Sequence, residues 1–244
     1  MVINTEINKT LQAGKITIQG EFLWGSNYTF LVEVVEKGTR LKGVYKPSKG
    51  EQPLWDFPSE SLANREVAAY LVSEALGWEF VPPTVLREDA PLGRGSIQLY
   101  IDHDPEYHYF NFNQVDRQRL RPVVLFDLLI NNADRKGSHI LKDPNGSLWL
   151  IDHGVCFHVE EKLRTVIWDF MGEAIPENLC ADLTRLNTAL NTAAGETSKL
   201  EKALQLHLNR KEIRALSNRA AKLVSHGHFP QPSPDRRPYP WPQI

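Results

Sequence analysis

The sequence predicts an α+β protein of two lobes, a β-rich N-terminal lobe with one helix and then a mainly helical C-terminal lobe. Three observations carry that prediction. The first hundred residues alternate apolar and polar side chains in short runs separated by turn residues, as strands with one buried face do. A single run, 61–77, breaks the alternation with helical spacing. From Val115 onward the helical period dominates, and the chain closes on a proline-rich stretch.

The runs "KITIQGEFLW", "YTFLVEVVE" and "RLKGVYKP" read as three strands. "GSN" (Gly25 to Asn27) and "KGT" (Lys37 to Thr39) supply turn chemistry between them, which makes an antiparallel meander. "EQPLWDFPSE" is a proline-broken loop. A helix follows, with Ser61 as its expected cap, Glu66, Ala69, Tyr70 and Ser73 on one face, and Gly77 as its stop. "FVPPTVL" and "GSIQLYI" are two further strands around the turn "EDAPLGRG". In the second half, "VDRQRLRPVVLFDLLINNA" reads as helical, with Pro122 suited to a first turn. "HILKD", "PNG" and "LWLID" form a hairpin. Helical stretches are expected at 177–194 and 196–225. The expected domains are an N-terminal lobe at 1–101, a C-terminal lobe at 102–228 and an extended, mobile tail at 229–244.

The bulk numbers narrow the function. A formal net charge of −2 over 244 residues provides no field for nucleic-acid binding. Cys156 and Cys180 are the only cysteines, too few for a disulfide framework, and a reducing cytoplasm is the expected setting. "MVINTEINKTLQAGKI" lacks the basic and apolar regions of a secretory signal. No run has the length of a membrane span, so no integral membrane association is expected. Trp24, Trp55, Trp78, Trp149 and Trp168 read as packing residues, and Trp241 lies in the tail.

A β-meander, one helix, two strands and a helical lobe follow the order of a protein kinase-like fold, so the residues can be tested against phosphoryl transfer. That chemistry needs a cation on the phosphates, an acid to hold a divalent metal and a group to orient the attacking hydroxyl. Asp134 follows an apolar helix, and Asp152 ends a strand in "LIDHG". They lie 152 − 134 = 18 positions apart across one hairpin, which sets both carboxylates at the same end of the lobe. Burying either without a partner is costly. Lys46 ends the third strand, where a lysine reaches phosphates, and Glu66 on the next helix is its candidate partner. The backbone of Gly25, Ser26 and Asn27 is placed to cover phosphates, although G-x-G-x-x-G is absent. His103, His108, His153 and His158 lack the spacing of a structural zinc site, and His153 reads as a supporting neighbour of Asp152.

These motifs resemble those of the atypical kinase superfamily that includes type II phosphatidylinositol 4-kinases, phosphatidylinositol 3-kinases and HipA-type kinases. "REVAAYLVSEALGWEFVPPTVL" resembles the glutamate helix and the "VP-T" that follows it. "GRGSIQLYI" resembles the strand into the adenine hinge, "NNADRKGSHIL" the catalytic loop, and "LIDHGV" the metal motif. More closely, residues 15–225 resemble a bacterial family, widespread in actinobacteria, labelled phosphatidylinositol 3-/4-kinase-like. The resemblance implies ATP with Mg²⁺ or Mn²⁺ as cofactors. It implies Lys46 on the phosphates, Glu66 holding Lys46, and Gln98, Leu99, Tyr100 and Ile101 bordering adenine mostly through backbone. It implies Asp134 as the residue orienting the nucleophile and Asp152 as the metal acid, with Arg135 and Lys136 available to neutralise the transferred group. The family's metal-binding asparagine falls on His139, which is expected either to ligate a metal such as manganese or to contact phosphate. Ligation by a neutral imidazole is expected to weaken near pH 6.5.

The implied activity is ATP-dependent phosphoryl transfer to a hydroxyl on a small molecule or a protein serine or threonine. An inositol lipid is disfavoured, because the sequence reads as having no basic amphipathic helix and "RQRLR" at 117–121 is its only short basic run. The alternatives are a nucleotide-binding pseudokinase and an AMP transferase on the same fold.

Overall fold

The structure, a computed structural model, describes residues 2–22, 28–191 and 197–244. β1 (Lys15–Glu21), β2 (Phe30–Glu36) and β3 (Thr39–Pro47) pair antiparallel as the expected meander. β4 (Thr84–Arg87) and β5 (Gly95–Leu99) pair with each other, and β5 joins β3, giving a five-stranded sheet of order β1-β2-β3-β5-β4. Alternation puts Val32, Val34, Tyr45 and Ile97 on one shared core. Gly95 sits against β3 so closely that a Cβ there would lie 2.4 Å from the Lys46 carbonyl oxygen. Only glycine allows β5 this approach to the strand end that carries Lys46.

The lobe has two helices rather than one. α1 (Val2–Ala13) precedes the sheet, and its Ile7 and Leu11, four residues apart, pack on the sheet core. Arg87 of β4 donates Nη1 to the carbonyls of Leu11 and Gly14 at 2.8 and 3.0 Å, satisfying the groups at the end of α1. The single-helix reading overlooked this run because it is short and polar on its other face.

α2 (Leu62–Leu76) is buried nearly all round. Its cap differs from expectation. The Ser61 hydroxyl turns back to donate to the Pro58 carbonyl at 2.6 Å. The Glu51 carboxylate accepts from the Leu62 and Ala63 amides instead, at 3.2 and 3.0 Å. An anion there also opposes the positive end of the helix dipole. Gly77 closes the helix at φ 72, as expected.

In the second lobe the run 115–133 splits into α3 (Gln114–Gln118) and α4 (Arg121–Ile130), with Pro122 in the first turn of α4. β6 (Ile140–Lys142) and β7 (Leu148–Leu150) form the expected hairpin. α5 (Glu177–Leu190) follows. The run read as one helix from 196 to 225 is two, α6 (Lys199–Leu204) and α7 (Arg210–His226). Asn209 breaks it by accepting from the Lys211 and Glu212 amides, while the Glu212 carboxylate accepts from the Asn209 amide. α7 also overturns the reading that the chain has no basic amphipathic helix. It buries Ile213, Leu216 and Ala220 and turns Lys211, Arg214 and Lys222 outward. That apolar face is already covered by the protein core.

The larger core runs from α2 through α4 and α5 to α7, so α2 is shared by both lobes. Arg65 of α2 pairs with Glu212 of α7 and donates to the Cys156 carbonyl at 2.6 Å. Both cysteines are free. Among the described residues, no helix is long and apolar enough to cross a membrane. Trp55, read as a packing residue, is 91% exposed with the Lys162 ammonium 4.9 Å from its ring centre. Trp24 lies outside the described residues.

The tail runs without regular structure along the helical lobe. Phe229 is buried in the core. Beyond it, the Pro238 carbonyl accepts from the Thr165 amide at 3.0 Å, and the Gln243 carbonyl accepts from the Gly137 amide at 2.8 Å. Deleting 230–244 is expected to leave the far-ultraviolet circular dichroism unchanged while the Gly137 and Thr165 amides lose protection. Hydrogen exchange read at those two amides checks this.

Candidate functional site

The cleft forms where the end of β3 meets α2 and the strand-end acid that follows β7. Lys46, at the inner end of β3, sends its ammonium to the Glu66 carboxylate of α2 and to Asp152 Oδ1, the latter at 3.0 Å. Glu66 is buried, whereas the Asp152 side chain keeps 46% of its surface exposed and so faces the opening. The other Glu66 oxygen accepts from the His153 amide at 2.9 Å, tying α2 to the segment after β7. Gly154 permits this contact, since a Cβ there would meet Leu62 Cβ at 3.3 Å. Burial alone would lower the Lys46 pKa, but Asp152 and Glu66 outweigh it and raise it. Burial alone would raise Asp152, but the Lys46 ammonium holds it well below the usual carboxylate range. Asp152 also sits at φ 62, in the left-handed region that few non-glycine residues adopt.

Asp134 lies in the loop after α4. Asn131 ends that helix in the left-handed region, at φ 56. The Asn132 side chain accepts from the Asp134 amide at 2.9 Å and donates to Asp127 at 3.0 Å, which fixes the loop. The Asp134 carboxylate has the Lys136 ammonium 3.4 Å away and is 31% exposed. Burial raises its pKa to about 6; Lys136 opposes that shift and the Asp152 charge adds to it. One acid of the pair is therefore held ionised, while the other titrates near neutral pH.

Arg135 requires a correction. It was expected to neutralise a transferred group, but it is fully buried and points away from the cleft. All five of its N–H donors are engaged, on Asp127, the His139 and Ile151 carbonyls and His153 Nε2. Asp127, which sequence reading missed, is the buried counter-ion, with Nε to Oδ2 at 2.9 Å. A carboxylate in the apolar run "VVLFDLLI" was the available signal. Because Arg135 donates to His153 Nε2, that imidazole carries its proton on Nδ1, and burial keeps it neutral.

His139 Nε2 stands 3.3 Å from Asp152 Oδ2, and its buried Nδ1 has no partner. Burial lowers its pKa to about 4, against the pull of Asp152. The expected change near pH 6.5 therefore moves down to about 4, and the ring stays neutral above that. Among the described residues, no three His, Cys, Asp or Glu side chains gather as a self-sufficient metal site.

At the sheet edge, the Gln98 side chain is turned inward and donates to Thr84 at 2.9 Å. The Leu99 and Tyr100 amides are already paired with the Pro83 and Lys42 carbonyls, at 2.8 and 3.0 Å. The Ile101 carbonyl accepts from His103 Nδ1 at 2.8 Å. Gly25, Ser26 and Asn27 lie outside the described residues.

The two lobes and the lysine–glutamate–aspartate bridge between them define an atypical kinase-like protein. The fold is similar to that of the Golgi casein kinase solved with Mn/ADP bound, with a TM-score of 0.56 at 14% identity, covering 100% of this chain and 81% of that one. It is similar also to hydra Fam20 solved with sugar, with a TM-score of 0.56 at 16% identity, covering 92% of this chain and 88% of that one. The chain belongs to the same family as Protein Rv2133c of Mycobacterium tuberculosis (strain ATCC 25618 / H37Rv), to which it is 38% identical over 277 residues, 99% of this chain and 97% of that protein. It is also 27% identical over 180 residues to phosphatidylinositol 4-kinase gamma 4 of Arabidopsis thaliana, a match that takes in 56% of this chain and 32% of the plant protein. No family model matches the chain.

Removing one partner of a buried ion pair leaves an uncompensated charge, at a cost of about 3–5 kcal/mol. Asp127→Ala is expected to destabilise the protein by that order, and chemical denaturation followed by tryptophan fluorescence checks it.

Proposed function

We propose that the protein is an ATP-dependent phosphotransferase acting on a hydroxyl group. The observation that carries this reading is the Lys46 ammonium bridging Glu66 and Asp152 across the cleft, with Asp134 beside them titrating near neutral pH. In this reading Lys46 binds the phosphates and Glu66 holds Lys46 in place. Asp134 orients the acceptor hydroxyl and takes its proton, a task suited to a base with a pKa near the working pH.

The donor set fits a divalent ion. Asp152 offers an exposed carboxylate, with Nε2 of the neutral His139 imidazole 3.3 Å from its Oδ2. Two protein donors suffice for an ion that completes its shell with phosphate oxygens and water. Asp152 and His139 would hold it, and a bound ion would supply charge neutralisation on the phosphates. The Mn/ADP of the similarly folded Golgi casein kinase supports this pairing of nucleotide and metal. Arg135 contributes by position alone, fastening the Asp134 loop to the strand end before Asp152.

The acceptor is proposed to be a small molecule or a protein serine or threonine. The match to the plant phosphatidylinositol 4-kinase supports kinase chemistry, and the buried apolar face of α7 leaves no inserting helix there for a lipid surface.

In the presence of metal, Asp152→Ala is expected to lower ATP affinity at least tenfold, measured by calorimetry. Unchanged affinity would remove Asp152 from the metal site. Asp134→Asn is expected to lower kcat by about 10²–10⁴-fold with nucleotide affinity preserved. In the wild type, kcat/KM should fall as pH drops through about 6, because protonation removes the base. Products from γ-labelled and α-labelled ATP, read by mass spectrometry, separate phosphoryl from AMP transfer, and no label in any product would leave a nucleotide-binding module.

A further inference from the structure

A second concavity lies on the helical lobe, outside the cleft. It is bounded by α7, the end of α4, the segment 159–163 and the start of the tail, with a volume of about 660 Å³. That is within the ~300–1,000 Å³ range of small-molecule sites. Leu128, Val159, Leu163 and Phe229 give it apolar walls. Lys211, Arg214, Arg219 and Lys222 line it from α7, at successive spacings of three, five and three residues that keep them on one side of the helix.

Among the described residues, no carboxylate lies within 4.0 Å of the charged groups of these four cations. Glu161, the lining carboxylate, is paired outward with Arg236 at 3.5 Å. Arg219 reaches deepest. Its Nε and Nη1 donate to the Leu129 and His158 carbonyls at 2.7 and 3.2 Å, and its buried Nη2 has no partner. Burial lowers its pKa to about 10, against the opposing pull of Cys156 and Glu212. A buried guanidinium N–H without an acceptor is costly and is ordinarily matched by an anion.

We infer that this cavity binds a monoacyl anion, a single aliphatic chain ending in a carboxylate, with the chain on the apolar walls and the head on the exposed α7 cations Lys211, Arg214 and Lys222. Each half of the lining requires one half of that ligand. A small inorganic anion leaves the apolar walls bare, and a neutral chain leaves the lining cations unmatched. An acidic peptide would rest on the exposed rim formed by Lys211, Arg214 and Lys222 without filling the cavity.

Calorimetry with dodecanoate below its micellar concentration tests this, with acetate and dodecanol as the half-ligands. Saturable 1:1 binding of dodecanoate is expected, with acetate and dodecanol at least tenfold weaker. Arg214→Glu with Lys222→Glu, both on exposed positions, should weaken dodecanoate at least tenfold. Ala215→Trp, which fills the cavity from α7, should abolish binding. Circular dichroism of each variant shows whether it is folded. The inference is overturned if dodecanoate binds without saturation or not at all. It is overturned equally if acetate or dodecanol matches dodecanoate, or if both folded variants bind as the wild type does.

Discussion

Arg135 has five N–H groups to satisfy in a place where no water reaches, and the way it satisfies them shapes everything around the cleft. Its pairing with Asp127 anchors the 131–135 loop to α4. Its bonds to the His139 and Ile151 carbonyls anchor the same loop to the residues just before β6 and just after β7. Its bond to His153 fixes the tautomer of the residue next to Asp152. Asp134 and His139 share one loop and Asp152 comes from another stretch of chain, and one guanidinium fastens the two stretches together. A lysine in its place would lack the planar, five-donor fork that reaches all these acceptors together.

The cleft then assigns opposite characters to two aspartates. Asp152 is exposed toward the opening, and the Lys46 charge against it keeps it ionised. Asp134 is more enclosed, has Lys136 at 3.4 Å and the buried Arg135 as opposing cations, and feels the negative charge of Asp152. Environment, rather than residue type, separates an acid suited to hold a cation from one suited to accept a proton.

α2 links this chemistry to the rest of the fold. It carries Glu66 into the cleft and Arg65 to Glu212 and the Cys156 carbonyl, so the same helix sets the lysine and joins the lobes. Its start is stabilised by Glu51 from the loop before it rather than by its own serine. The second lobe meanwhile leaves its α7 cations around a separate apolar cavity, a charge arrangement that the cleft does not use.

Much of this was readable from residue order alone. Alternation and turn residues determine the meander, the β4–β5 pair and the hairpin, because a strand with one buried face admits only one period. Gly77 and Pro122 mark helix ends through their own backbone limits. The Asn209 to Glu212 capping box and the four-residue spacing of Ile7 and Leu11 were equally legible, and were overlooked. Tertiary structure alone decided the rest. Whether Arg135 faced a ligand or the interior depended on Asp127, a partner one helix away whose approach no local pattern encodes. The resemblance aligned His139 with the family's metal-binding asparagine, but its neutrality down to about pH 4 comes from burial contributed by distant segments. Local sequence specifies period, caps and turns because these are satisfied within a few residues. The charge states and partners of the cleft are set by desolvation and by side chains up to 106 positions apart, as Lys46 and Asp152 are, and these exist only once the chain has closed on itself.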